Sequence, residues 1–330
     1  DIQYSIGDIS WETGTRIFNA SSMLDDHFIL MYSDNFIQHQ FDSLSSKFYA
    51  NNSPLALHLA PKHEGNISLT VEDEISEYLP GKRSSKHPFV ELGYMIAEKK
   101  RIIDLMNHFA HSNFSFNVIL ERLSLLYSLP SVIVRDDYHS IGDCKRLLLT
   151  REYLLPKKHI LIDRDGVINR KAPRGKYITC WDDFHFIEDT INSMKELSSS
   201  GYYFSILTNQ AGLSTGDLKQ EKLDEIHLRL CEYFSLSQIS LIDISVSSDH
   251  WNSNAFMRKP NPGMFFDISR KHLLRLDCAF YIGDDRRDVE ASKNAGCGCI
   301  YVSDDKSPIN YRYCRRVDSV SESLDLIDNF

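Results

Sequence analysis

The run Ile160-Leu161-Ile162-Asp163-Arg164-Asp165-Gly166-Val167-Ile168-Asn169 constrains this chain more than any other stretch. Its first three residues are apolar without alternation, the pattern of a parallel strand buried on both faces. Two carboxylates and a glycine follow at once, at the strand end where open α/β sheets hold ligands in a crevice. Two acids so close repel unless a cation sits between them. An all-oxygen donor set suits Mg²⁺, a hard ion that keeps exchangeable waters. A plain turn after a strand is the competing reading, since Asp and Gly are frequent in turns.

Three further segments follow in order, each after a strand-like run. Phe204-Ser205-Ile206-Leu207 leads into Thr208 and Asn209, a hydroxyl and an amide able to hydrogen-bond a phosphoryl oxygen. Arg258-Lys259-Pro260 supplies fixed positive charge, and Ala279-Phe280-Tyr281-Ile282-Gly283 leads to the carboxylates Asp284 and Asp285. This series resembles the haloacid dehalogenase superfamily from about Lys158 to Asp305. The wording DRDGVIN, TNQ, RKP-PGM and GDD is similar to its histidinol-phosphate and D,D-heptose 1,7-bisphosphate phosphatase branch.

The resemblance implies a Rossmann-like parallel-sheet phosphatase domain in which Asp163 attacks phosphorus and forms an aspartyl phosphate. It implies Asp165 as the acid and base of the two half-reactions. Mg²⁺ is expected on Asp163, the backbone carbonyl of Asp165, and Asp284. Thr208, the Asn209 amide and Lys259 are expected to hold the phosphoryl oxygens as charge spreads over them, with Arg258 reaching the substrate. Asp285 and Asp288 are expected to orient water or Lys259 rather than to ligate. Zinc-bearing members of the branch carry a Cys/His loop ahead of the Arg-Lys pair. Here Ser247 to Met257 contains His250 and no cysteine, so no structural zinc is expected. The loop is expected to be held by packing of Trp251 and Phe256. Arg170, Lys171, Arg174 and Lys176, in the loop after the first motif, form either an anion-holding segment or a solvated one.

Ahead of this region, His27–Asp34 reads as a buried strand ending in a carboxylate. Leu55–Leu59, Ile67–Val71, Phe89–Ile96 and Val132–Val134 read as further strands. Helical spacing from Lys99 to about Phe109, from Phe116 to Tyr127 and from Gly142 to Leu149 makes this half an α/β layer as well. Glu12-Thr13-Gly14-Thr15, Tyr32-Ser33-Asp34, Glu91-Leu92-Gly93 and Ser140-Ile141-Gly142-Asp143 look like the later motifs of sugar-1-phosphate nucleotidyltransferases. That resemblance implies Asp34 as a metal ligand. Ser140 stands where the family has a second Asp, and nothing before Asp1 supplies the Gly-rich triphosphate loop. The half therefore reads as an incomplete α/β nucleotidyltransferase-like domain, residues 1–153. The phosphatase-like domain spans residues 154–330, and Pro156 interrupts the junction. With no low-complexity linker between them, the two are expected to pack together.

A net charge of −9 over 330 residues argues against nucleic acid as a partner. No apolar stretch approaches the ~18 residues of a membrane span. Seven scattered cysteines without a CxxC pair suit a reduced, cytoplasmic protein, with Cys297 and Cys299 as small buried residues. The first residue is Asp, so the chain is expected to be processed, trimmed or only part of its gene product. The leading expectation is a phosphatase acting on a sugar phosphate such as heptose 1,7-bisphosphate. The alternatives are a bifunctional phosphatase and heptose-1-phosphate nucleotidyltransferase, a histidinol-phosphate phosphatase, and a non-catalytic scaffold. Oligomeric state is left open.

Overall fold

The computed structural model describes residues 2–37, 40–135, 138–173 and 175–328. Contacts divide the chain into two compact units, Asp1–Tyr153 and Leu154–Phe330. No helix among the described residues is long and apolar enough to cross a membrane.

The second unit is built on six parallel strands, in the order Leu241–Ser247, Tyr203–Asn209, His159–Ile162, Phe280–Gly283, Gly298–Val302, Cys314–Val317. The lack of alternation in Ile160-Leu161-Ile162 has a direct cause, because both faces of the strand are covered. Ile160 and Ile162 join Phe204, Ile206, Ile282 and Ile300 in one apolar cluster, and Leu161 joins Leu207 and Tyr281 in another. Helices Glu188–Ser199 and Gln220–Leu236 complete the first cluster through Ile191, Met194, Leu197, Ile226, Leu230 and Phe234. These are the positions that recur at helical spacing in the sequence. Helices Gly263–His272 and Arg286–Ala295 complete the second through Phe265, Ile268 and Ala291.

Gly201 sits just past the end of Glu188–Ser199 with φ +86°, a left-handed position that glycine takes without steric cost. The unit's first strand, His159–Ile162, lies in mid-sheet; the sheet then builds outward to Leu241–Ser247 and resumes on the other side at Phe280–Gly283. That reversal makes the carboxyl end of His159–Ile162 a topological switch point, the usual ligand crevice of such sheets. The sixth strand, Cys314–Val317, is not legible in the sequence, because Cys-Arg-Arg-Val carries two charges and lies at the sheet edge. Cys297 and Cys299 are both buried, as expected.

The first unit holds a sheet in the order Ile75–Tyr78, Ile67–Leu69, Phe89–Glu98, Leu55–Pro61, Ser131–Ile133. All these neighbours are antiparallel except Leu55–Pro61 with Ser131–Ile133. Helices cover both faces. Leu55, Leu57 and Leu59 point to helices Lys99–Met106 and Phe116–Leu126, while Ala56 meets Leu44 and Phe48 of Phe41–Ala50.

His27–Met31 departs from the expected buried strand. It lies on the outside of Phe89–Glu98, which is its one strand partner among the described residues. Phe28 and Leu30 pack on the core, whereas Ile29 and Met31 face outward and are each 53% exposed. An apolar run marks two-sided burial only where the strand has neighbours and layers on all sides.

Thr13 and Thr15 have a structural role: their hydroxyls accept the backbone N–H groups of Phe116 and Phe114. Gly14 lies so close to the Phe114 ring that a side chain there would clash.

Candidate active site

Loops from the carboxyl ends of four parallel strands converge on one cleft of about 700 Å³. Asp163, Asp165, Thr208, Asn209, Arg258 and Lys259 all line it. Their order along the sheet explains the convergence: Asp163 and Asp165 follow His159–Ile162, Thr208 and Asn209 end the adjacent strand Tyr203–Asn209, and Arg258 and Lys259 follow the next strand, Leu241–Ser247.

Lys259 is the electrostatic centre. Its ammonium lies 2.9 Å from Asp163 Oδ1 and 2.9 Å from Asp288 Oδ1, with the Leu207 carbonyl at 2.9 Å and the Tyr281 hydroxyl at 2.6 Å. Only 3% of the residue is exposed. Burial alone would lower its pKa, but Asp163 and Asp288 outweigh that and raise it, so the lysine stays charged. Tyr281 OH donates to Asp288 Oδ1 at 3.0 Å, closing the network from below. Asp288 in turn belongs to a capping box at the start of Arg286–Ala295. Its Oδ2 accepts the Asp285 N–H, and the Asp285 carboxylate accepts the Arg287 N–H.

Asp163 is 8% exposed, and its Oδ1 also accepts the Arg164 backbone N–H at 2.8 Å. Burial pushes its carboxyl up to about 7; Lys259 pulls against this, and the neighbouring charges of Asp288 and Asp284 add to it. Asp163, Asp284 and Asp288 each offer an oxygen within 4.8 Å of the others, the one such group of three among the described residues. Asp284 Oδ1 is buried with no hydrogen-bond partner. Its Oδ2 is held by Lys171 at 2.8 Å. Three carboxylates against the two ammonium groups of Lys259 and Lys171 leave a negative excess and an orphaned acceptor. This hard-oxygen set fits a divalent cation such as Mg²⁺.

Asp165 is arranged differently. Both its oxygens accept from Arg164 Nη2, at 3.1 and 2.9 Å, and Asn169 Nδ2 and Gln210 Nε2 add bonds of 2.9 and 2.7 Å. Burial would raise its pKa, but the Arg164 guanidinium with the Asn169 and Gln210 bonds lowers it below the ordinary carboxylate value. Asp165 lines the same cleft but is not one of the three grouped carboxylates. Arg164 is fully buried; its Nη1 meets His227 Nε2 at 3.1 Å and its guanidinium lies over the Phe184 ring. Thr208 Oγ1 accepts from Gln210 Nε2 at 2.8 Å. The Asn209 side chain bridges the backbone N–H and C=O of Lys259, tying two of the loops together. Arg258 is 8% exposed and donates through Nη1 to the Asp249 carbonyl.

Gln210, Asn169, Tyr281 and Arg164 have no role in the sequence reading, although each lies within or beside a quoted motif. The available signal is position: a polar residue within four places of a site carboxylate or hydroxyl. Trp251 packs on His250 and Phe256 on Phe266, with ring centroids 3.9 and 6.1 Å apart, but both lie at the surface, 54% and 59% exposed. Hydrogen bonds also hold the loop. Asn261 Nδ2 donates to the Asn254 and Ala255 carbonyls, Ser253 Oγ to that of His250, and Arg258 to that of Asp249. In the basic loop, Lys176 lines the cleft and Lys171 reaches Asp284, while Arg174 lies outside the described residues.

In the first unit Asp34 is exposed and borders a separate cavity of about 780 Å³, together with Glu91 and Arg83. Burial raises the Glu91 pKa, with Arg83 acting in the opposite direction. Ser140 is paired with Asn35 in a short two-stranded ladder, and Asp143 forms an ion pair with Arg146.

A family model described as polynucleotide kinase 3 phosphatase matches residues 159–299. D-glycero-beta-D-manno-heptose-1,7-bisphosphate 7-phosphatase of Photorhabdus laumondii is 30% identical over 162 residues, covering 46% of this chain and 82% of the relative. The crystal structure of D,D-heptose 1,7-bisphosphate phosphatase from B. bronchiseptica, complexed with magnesium and phosphate, aligns with TM-score 0.47 and 22% identity. That alignment covers 52% of this chain and 98% of the other. A candidate glucose-1-phosphate thymidylyltransferase from Bacillus anthracis aligns with TM-score 0.39 and 12% identity, over 46% of this chain and 64% of the other.

Proposed function

The chain belongs to the D-glycero-D-manno-heptose-1,7-bisphosphate 7-phosphatase family, and from that premise we propose that residues 154–330 hydrolyse a sugar phosphomonoester with Mg²⁺. The leading substrate is a heptose 1,7-bisphosphate. The observation that carries the reading is the placement of Asp163, Asp165, Thr208, Asn209 and Lys259 around one cleft at the sheet's switch point.

Asp163 attacks phosphorus and the sugar oxygen departs, leaving an aspartyl phosphate that water then hydrolyses. Lys259, fixed by four partners, offsets the negative charge that phosphate brings to Asp163. Thr208 and the Asn209 amide offer donors to the phosphoryl oxygens. Asp163, Asp284 and the Asp165 backbone carbonyl would hold Mg²⁺, with Asp288 at hand, and the ion supplies charge neutralisation that lets an anionic substrate approach a carboxylate. Asp165 gives a proton to the leaving oxygen and takes one from water. The donors gathered on it favour its anion, so the present arrangement suits the water-activating half.

The acidic net charge supports a small anionic substrate over a polynucleotide. For residues 1–153 we infer a nucleotidyltransferase-like body that binds nucleoside triphosphates weakly or not at all, because the resemblance sets Ser140 where the family has a second acidic ligand. A phosphate-release panel tests the first reading, using heptose 1,7-bisphosphate, heptose 7-phosphate, histidinol phosphate and a 3′-phosphorylated oligonucleotide with Mg²⁺. Preference for the bisphosphate is expected; turnover of the oligonucleotide alone would overturn it. Calorimetric titration with GTP, ATP, CTP and UTP tests the second, and micromolar binding would refute it.

A further inference from the structure

Two lysines serve the acidic group at the cleft, and they are held very differently. Lys259 is 3% exposed and has four polar partners within 2.9 Å. Lys171 has an exposed side chain (44%) and, among the described residues, one ion-pair partner, Asp284 Oδ2 at 2.8 Å. Gly166 makes that contact possible. Its φ is +102°, and a Cβ there would collide with both the Asp284 carboxylate and the Lys171 side chain. The lysine therefore lies across the glycine of the first motif, on the carboxylate that belongs to the cation-binding group, and it also lines the cleft.

The geometry points to Lys171 as a tethered counter-ion that holds Asp284 until a divalent cation binds, and then turns its ammonium to the anionic substrate. This rests on the phosphatase reading above and adds to it a residue-level order of events. The charges argue for the exchange. With Lys171 on Asp284, three carboxylates face two ammonium groups; a divalent ion in its place supplies two charges where Lys171 supplied one. Lys171 holds Asp284 Oδ2 while the orphaned Oδ1 is open to the ion, so the two compete for the charge of one carboxylate. An exposed, singly bonded ammonium leaves at little cost. Once free, its stem keeps it at the cleft beside Lys176, where a substrate phosphate needs cations. Lys259 cannot take this part, because withdrawing it would leave Asp163 and Asp288 buried without a counter-charge.

The test separates metal affinity from turnover. Mn²⁺ binding to the full chain is measured by electron paramagnetic resonance, and Mg²⁺ binding by calorimetry, for wild type, Lys171→Met and Lys171→Arg. Removing the competitor should tighten divalent binding in Lys171→Met by roughly two- to fivefold, the range for an ion pair whose lysine is exposed and screened. Lys171→Arg should stay near wild type. In the same variants, KM for a sugar bisphosphate should rise in Lys171→Met with a smaller change in kcat. Unchanged or weaker divalent binding in a folded Lys171→Met protein, checked by circular dichroism, would overturn the proposal. If wild type binds the cations but releases no phosphate from any substrate, the phosphatase reading fails, and the metal titration still decides whether Lys171 competes.

Discussion

Replacing Lys259 with Met tests the electrostatic logic of the cleft most directly. The methionine keeps much of the side chain's length but removes the one charge shared by two carboxylates. At 2.9 Å and an effective dielectric of about 20, each attraction amounts to roughly 6 kcal/mol before desolvation is subtracted. Most of that is offset by burying the ammonium. The net loss on breaking a buried pair is therefore closer to the 3–5 kcal/mol typical of an abandoned buried charge, or about two to four powers of ten in the unfolding equilibrium. Because the chain has two units, a single melting curve mixes them. Hydrogen exchange of the amides in His159–Ile162 and Tyr203–Asn209 reports the second unit alone. In metal-free buffer their exchange should speed up by at least a hundredfold. Adding Asp288→Asn to Lys259→Met removes one of the stranded charges and should recover about 1–3 kcal/mol. A less than tenfold acceleration, or no recovery in the double variant, would refute the picture of Lys259 as the neutralising centre.

Asp163→Asn should abolish Mg²⁺-dependent phosphate release while leaving the amide-exchange pattern of the sheet unchanged; retained turnover would exclude Asp163 as nucleophile. His159 is buried against Ser205 Oγ, and burial, with the nearby His272 and Lys157, lowers its pKa to about 4. A ring kept neutral when folded but protonated when unfolded contributes stability present above pH 6.5 and lost as the pH falls toward 4. About 2 kcal/mol should be lost from this source between pH 7 and pH 5. His159→Asn should flatten that acid limb, as followed by exchange in the adjoining strands; an identical limb would refute the assignment. Elemental analysis of the purified chain should find no stoichiometric zinc, and a zinc chelator should leave the second unit folded. One tightly held zinc per chain would show that Ser247 to Met257 is not held by its hydrogen bonds alone.

Much of the second unit follows from order along the chain. Ile160-Leu161-Ile162 announces a strand buried on both faces, the spacing of Leu223, Ile226, Leu230 and Phe234 announces a helix, and Gly201 marks a helix end. These are local periodicities, set by the repeat of a strand or a helix, so sequence alone carries them. The acids Asp163 and Asp284 are visible for the same reason, since each follows an apolar run, and Asp165 lies two places beyond Asp163. What sequence does not carry is who faces whom. Asp163 and Asp165 are two positions apart, yet one joins Asp284, Asp288 and Lys259 while the other turns to Arg164, Asn169 and Gln210. Residues such as Tyr281 and Asp288 enter the site only because strands distant in sequence lie side by side. His27–Met31 shows the converse: its composition reads as core, but burial depends on neighbours, and this strand has one among the described residues. Lys171 is the sharpest case, a loop lysine that sequence permits to be merely solvated and that Gly166 brings onto Asp284. Contacts between residues remote in sequence are decided by packing and charge in three dimensions, and no local pattern encodes them.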